Sequence, residues 1–198
     1  MNSRREPTAV RPPGVIDMAS VPFECQLFAT LPRDSTSELL PWAQSLSMAA
    51  CRQSITLAPV SDPEQFRPMI ARLEQAMAPS IAMYRDALAR GPMQIKILAA
   101  YGLGMVNVNI IVWARSAVHI PGGDPSFGGA SYGGTSYVAR SQRLHQLLEA
   151  LLVKERDAAL SAFHDVARLA HEDPRAAQAN QVMAFVVMNA QMQAALLR

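Results

Sequence analysis

Two stretches of this chain carry no charged side chain. One is 97–114, eighteen residues bracketed by Lys96 and Arg115; the other is 176–197, twenty-two residues. A solvated helix face normally carries Lys and Glu, so uncharged segments of this length have to be covered, by the rest of the chain, by another chain or by lipid. Overall the 198 residues are 50% hydrophobic and 17% charged, against roughly 25% charged in an average soluble domain. The shortfall is local, because twelve of the charged residues crowd between Arg140 and Arg175.

This balance excludes several classes. Disorder requires low hydrophobicity and high net charge, and the net charge here is only +2. Two cysteines, Cys25 and Cys51, make no disulfide framework. They pair if the protein is exported, but free buried cysteines are the commoner case. Arg4, Arg5 and Arg11, interrupted by Glu6, are too few for a nucleic-acid footprint. The N-terminus lacks the apolar run of a secretory signal. The expected location is therefore the cytoplasm, with secretion without a cleaved signal, or membrane association, as alternatives.

The organisation reads as an all-α protein. Residues 1–20, with Pro7, Pro12, Pro13 and Gly14, form an extended N-terminal tail, and 21–198 form a single helical domain. Residues 21–32 suit a short strand or an apolar arm. Ser35 with Glu38 fits a capping box, and the helix it opens is expected to continue from Trp42 to Leu57. Asp62-Pro63 then supplies an N-cap and a first-turn proline, and Gly91-Pro92 a stop. Between them Ile70, Leu73, Met77, Ile81, Tyr84 and Leu88 make a buried stripe. Pro68 and Pro79 predict a kink or two shorter helices.

A long amphipathic helix is expected over 138–171. Leu144, Leu148, Leu151, Leu160, Phe163, Ala167 and Ala170 line its inner side; Arg143, Glu149, Lys154, Glu155, Arg156, Asp157 and Arg168 form its wet face. Asp173-Pro174 repeats the capping device, so the last helix should run from Pro174 to Leu197. The result is an irregular bundle of five or six helices, with the Pro-rich tail and a Gly/aromatic-rich crossover loop at 121–137.

The 97–114 segment reads as the central helix of this bundle. The alternation of Val and Asn in 105–112 also suits a strand, but the uncharged run is too long for one. Its length is the lower limit for a membrane span, and the flanking basic residues and Trp113 suit one. Asn107 and Asn109 oppose lipid exposure, because each amide needs a partner in hydrocarbon. Gly102 and Gly104 would let another backbone approach closely.

Three surfaces are candidates for function. The uncharged C-terminal helix offers Met183, Phe185, Val187, Met188 and Met192 as an adaptable apolar face for a partner, beside Val186. The loop repeats Ser-aromatic-Gly-Gly, placing Phe127, Tyr132 and Tyr137 five residues apart as docking anchors. His164 and His171 share a helical face near Asp165, Glu172 and Asp173, and His145 lies one turn from Glu149. No Glu-x-x-His pair or His-Glu-x-x-His accompanies them, so they read as solvated. No nucleophile motif occurs, and no catalytic residue, cofactor or metal is assigned.

The sequence thus predicts a non-enzymatic interaction or assembly subunit. Its partners are protein, either copies of itself or members of a larger complex. The Ala-, Arg- and Met-rich composition suggests a bacterial one. One alternative is a leaderless secreted protein that inserts 97–114 into a membrane. Another is a small helical enzyme or metal-binding protein. Nucleic acid is not an expected partner.

Overall fold

The structure is a computed structural model and describes residues 16–17, 25, 27–28, 39–53, 55–119 and 134–198. Its elements are β1 (Ile16–Asp17), α1 (Leu40–Cys51), β2 (Thr56–Leu57), α2 (Pro63–Arg90), α3 (Met93–Ala117), α4 (Gly134–Glu172), α5 (Pro174–Ala177) and α6 (Gln181–Leu196). The architecture is an all-α bundle. A two-residue antiparallel pairing joins β1 to β2, with Ile16 opposite Leu57 and Asp17 opposite Thr56. The Ser35–Glu38 capping box lies outside the described residues.

The bundle is built around α3. A helix that is apolar on every side is stable in water only when surrounded. Here α4, α2, α6 and α1 all pack on it, and α4 makes the most extensive contact. Ile97, Leu98, Tyr101, Val106, Ile110, Trp113 and Ala114 are buried. The helix reading of 105–112 therefore holds over the strand reading.

Gly102 and Gly104 do not serve backbone contact. A Cβ on Gly102 would lie 2.5 Å from Cε1 of Tyr84, and one on Gly104 would lie 2.7 Å from Cδ1 of Phe163. Each glycine is a notch for an aromatic ring, one from α2 and one from α4.

Helix α2 begins where the Asp62 side chain accepts a hydrogen bond from the Glu64 N–H at 2.9 Å, with Pro63 in the first turn. It ends at Gly91. Of the two expected outcomes at Pro68 and Pro79, a kink or two shorter helices, the division does not occur: the helix is continuous over 28 residues. Both prolines, and Glu64 and Gln75 four positions before them, are exposed. Water can therefore bond the carbonyls that the prolines leave free.

Other boundaries differ from the sequence reading. Cys25, Leu27 and Phe28 are helical, where a strand or arm was expected. Helix α1 stops at Cys51, six residues short of Leu57, which lies in β2. Two residues beyond that end lies Gln53, which is 1% exposed. Its Nε2 donates to the Tyr84 hydroxyl at 3.4 Å and its Oε1 accepts from Asn109 Nδ2 at 3.2 Å. A continued helix would not direct it into this network. Val60 pairs with Val118 through Val60 N–H to Ala117 O and His119 N–H to Val60 O, both 2.8 Å.

Helix α4 begins at Gly134, so the last four residues assigned to the loop, 134–137, are helical. Its inner arc includes Leu144, Leu148, Leu151, Leu152, Ala159, Ala162, Phe163, Val166 and Leu169. Two assignments change. Ala167 is exposed; a methyl group is too small to dictate a face. Glu155, expected on the wet face, is 6% exposed because it falls on the arc that faces α2 and α3. The Lys154 ammonium neutralises it at 3.3 Å and also reaches Glu74 at 3.5 Å.

Candidate functional site

The last helix is not continuous. Asp173 caps α5 by accepting from the Ala176 N–H at 3.0 Å, with Pro174 in the first turn. Asn180 then caps α6 by accepting from the Met183 N–H at 3.0 Å. The chain therefore breaks at 178–180, between two caps, where a single helix was expected. An Asn inside an uncharged run is also an N-cap residue, and that was the missed signal.

The second cap sets how α6 lies on the bundle. Met183, Val186, Ala190 and Ala194, at helical spacing, face inward. The Tyr101 hydroxyl donates to Asn189 Oδ1 at 2.9 Å and anchors α6 to α3. Rotation of the helix is then fixed, and its other side faces out. There Met188 is 62% exposed, Met192 51% and Leu196 74%. They stand four residues apart, so they form one continuous row inclined to the helix axis. Ala184, Gln191 and Ala195 complete an outer face without charge.

The predicted partner residues divide accordingly. Met188 and Met192 are on the outer face. Phe185 and Val187 are half-buried at its margins. Met183, at 1% exposed, is inside the subunit. Leu196 is the most exposed of the stripe and was not among the expected residues. Phe127 and Tyr132 lie outside the described residues, and Tyr137 is in the first turn of α4.

On α3, Trp113 is buried, while Asn107 and Asn109 are half-buried. Asn107 Nδ2 donates to its own helix at Leu103 O, 2.8 Å, and Asn109 to Gln53. Among the described residues α3 alone is long and apolar enough to cross a membrane, and 67% of that apolar window is buried in the bundle.

A concave surface lies between α2, α3 and α4. This cavity of ≈ 340 Å³ is lined by Ile81, Ile110, Asn107, Arg85, Lys154 and Glu155, among others. Burial draws the Lys154 ammonium pKa down, but the carboxylates of Glu155 and Glu74 outweigh it and hold the pKa above the ordinary value. There the Lys154 ammonium meets the carboxylates of both Glu155 and Glu74. His145, His164 and His171 are exposed, and Arg168 takes Asp165 and Glu172 as partners. No group of three His, Cys, Asp or Glu able to hold a metal occurs among the described residues.

No protein-family model, curated protein or solved structure matches the chain.

Proposed function

We propose that this chain is a helical assembly subunit that docks the outer face of α6 on a second copy of itself. The observation that carries the reading is the stripe Met188, Met192 and Leu196, exposed on a helix that has no charged residue. In a two-fold contact the same patch of both copies meets itself, residue i against j and j against i. A face carrying charge of one sign repels itself in that arrangement, whereas an uncharged apolar face does not. Methionine adapts its shape to a facing surface, and the flanking amides Gln191 and Gln193 supply hydrogen bonds at the rim. The stripe spans two helical turns, about 12 Å, so the contact belongs with small, weak interfaces.

Light scattering and sedimentation of the purified chain test the reading. A dimer populated at about micromolar to tens of micromolar concentration is expected. The double substitution Met188→Lys and Met192→Lys should return it to monomer with unchanged helicity. A wild-type chain that remains monomeric at the highest soluble concentration overturns the reading.

A membrane-inserting role for α3 is the rival reading. It is supported by the length and apolar character of the helix. It requires α3 to leave the bundle, exposing Trp113 and separating Asn109 from Gln53. Liposome flotation at neutral and acidic pH tests it, and co-migration with lipid is the outcome it requires. For location, the bond between Cys25 and Cys51 supports an oxidising compartment over the cytoplasm, because disulfides are rare in reducing ones.

A further inference from the structure

Both cysteines of the chain are held in one bond, Cys25–Cys51, which spans 26 residues of sequence. It fixes the chain before α1 to the end of α1. Three residues beyond Cys25, Phe28 is 2% exposed and meets Tyr84 edge-on, with ring centroids 6.4 Å apart. Tyr84 is the ring that fills the Gly102 notch. The bond therefore stands at one end of a line of contacts, Cys25–Cys51 to Phe28 to Tyr84 to α3.

We propose that this disulfide is a reversible latch, which in its closed form keeps Phe28 on Tyr84 and in its reduced form releases Phe28 while the bundle stays folded. Access is the first argument. Cys51 is exposed and Cys25 half-buried, so an incoming thiolate can reach the bond. Independence of the bundle is the second. Helix α1 has anchors of its own: Ser80 Oγ donates to Ala49 O at 2.6 Å, and Leu46, Ala49 and Ala50 are fully buried. Helices α2, α3, α4 and α6 contain no part of the bond. Tyr84 keeps its hydrogen bond from Gln53 when Phe28 leaves.

The exchange balances with a dithiol as the reductant. One thiolate of the dithiol attacks Cys51 Sγ. The Cys25–Cys51 bond breaks, a mixed disulfide forms, and Cys25 departs as a thiolate that takes a proton from water. The second thiol, as its thiolate, attacks the mixed disulfide and expels Cys51, which is protonated in turn. The dithiol ends as a disulfide and the protein with two thiols. Opening uncovers the Phe28–Tyr84 contact, an aromatic surface covered in the closed form.

The test uses the full wild-type chain and dithiothreitol under native conditions. Alkylation and mass spectrometry count the thiols, circular dichroism follows the helices, and limited proteolysis follows the chain before Leu39. The latch predicts two alkylated cysteines, retained helicity, and cleavage before Leu39 accelerated by about tenfold or more. Reoxidation should reverse all three. Cys25→Ser should give the same cleavage pattern without reductant. The proposal is overturned if the bond resists reduction until denaturant is added, if reduction unfolds the helices cooperatively, or if cleavage does not change. The wild-type measurement decides the matter even where the variant fails to fold.

Discussion

The Tyr101 hydroxyl and the Asn189 side-chain oxygen meet at 2.9 Å across 88 residues of sequence. Tyr101 is buried in α3, and Asn189 sits on the flank of α6. This bond ties an uncharged helix to the core and, together with the buried Met183, Val186, Ala190 and Ala194, sets the rotation that leaves Met188 and Met192 facing outward. Tyr101→Phe keeps the ring and deletes the donor. It should cost about 1 kcal/mol in urea unfolding, and amide exchange in α6 should rise more than in α3.

The two ring notches predict an overpacking penalty. Gly104→Ala drives a methyl group into Phe163, and Gly102→Ala one into Tyr84. Each should destabilise by about 1–3 kcal/mol although alanine is the better helix former. Phe163→Leu should recover part of the Gly104→Ala loss, and a double-mutant cycle measures the coupling.

The Asn180 cap predicts that α6 depends on one side chain for its start. Asn180→Ala should cost about 1 kcal/mol, measured by chemical denaturation. Fraying at that end should also weaken self-association, whereas the same change at exposed Gln178 should do neither.

The interface chemistry predicts weak salt dependence. Exposed charges are screened at high ionic strength, but α6 has none to screen. The dimerisation constant should stay constant or tighten when sodium chloride rises from low to high concentration. A contact carried by ion pairs would loosen instead.

Lys154 predicts an alkaline effect. Its folded pKa lies above the ordinary 10.5 because Glu155 and Glu74 outweigh the effect of burial. A cation with a raised folded pKa stabilises fully below its unfolded pKa and loses that contribution as pH rises through the folded one. The wild-type melting temperature should therefore fall above about pH 10.5, and Lys154→Met should lack that component of the fall.

The elements that were legible in the sequence are those fixed by local chemistry. Asp62-Pro63 and Asp173-Pro174 mark helix starts because cap and proline act within one turn. The missing charge of 97–114 marks the central helix because an uncharged helix needs neighbours. What stayed hidden depended on partners distant in sequence. Gln53 looks like a helix residue until Tyr84 and Asn109 claim it. Glu155 looks solvated until Lys154 neutralises it. Asn180 looks like any other uncharged residue of the run until its side chain caps the Met183 N–H and divides α5 from α6. The outer stripe of α6 followed the same rule. Met183 and Met188 are alike in sequence, and only the packing of α6 on α4 and α3 places one inside and the other outside.

The two aromatic notches in α3 also bear on how this chain can change over evolutionary time. Positions 102 and 104 are about 200° apart around the helix, so they contact different helices and vary independently of each other. Each is instead bound to one distant ring. A larger residue at 102 calls for a smaller one at 84, and a larger residue at 104 for a smaller one at 163. Descendants of this chain should therefore exchange volume in these two pairs, and the trade would mark kinship after the rest of the sequence had drifted beyond comparison.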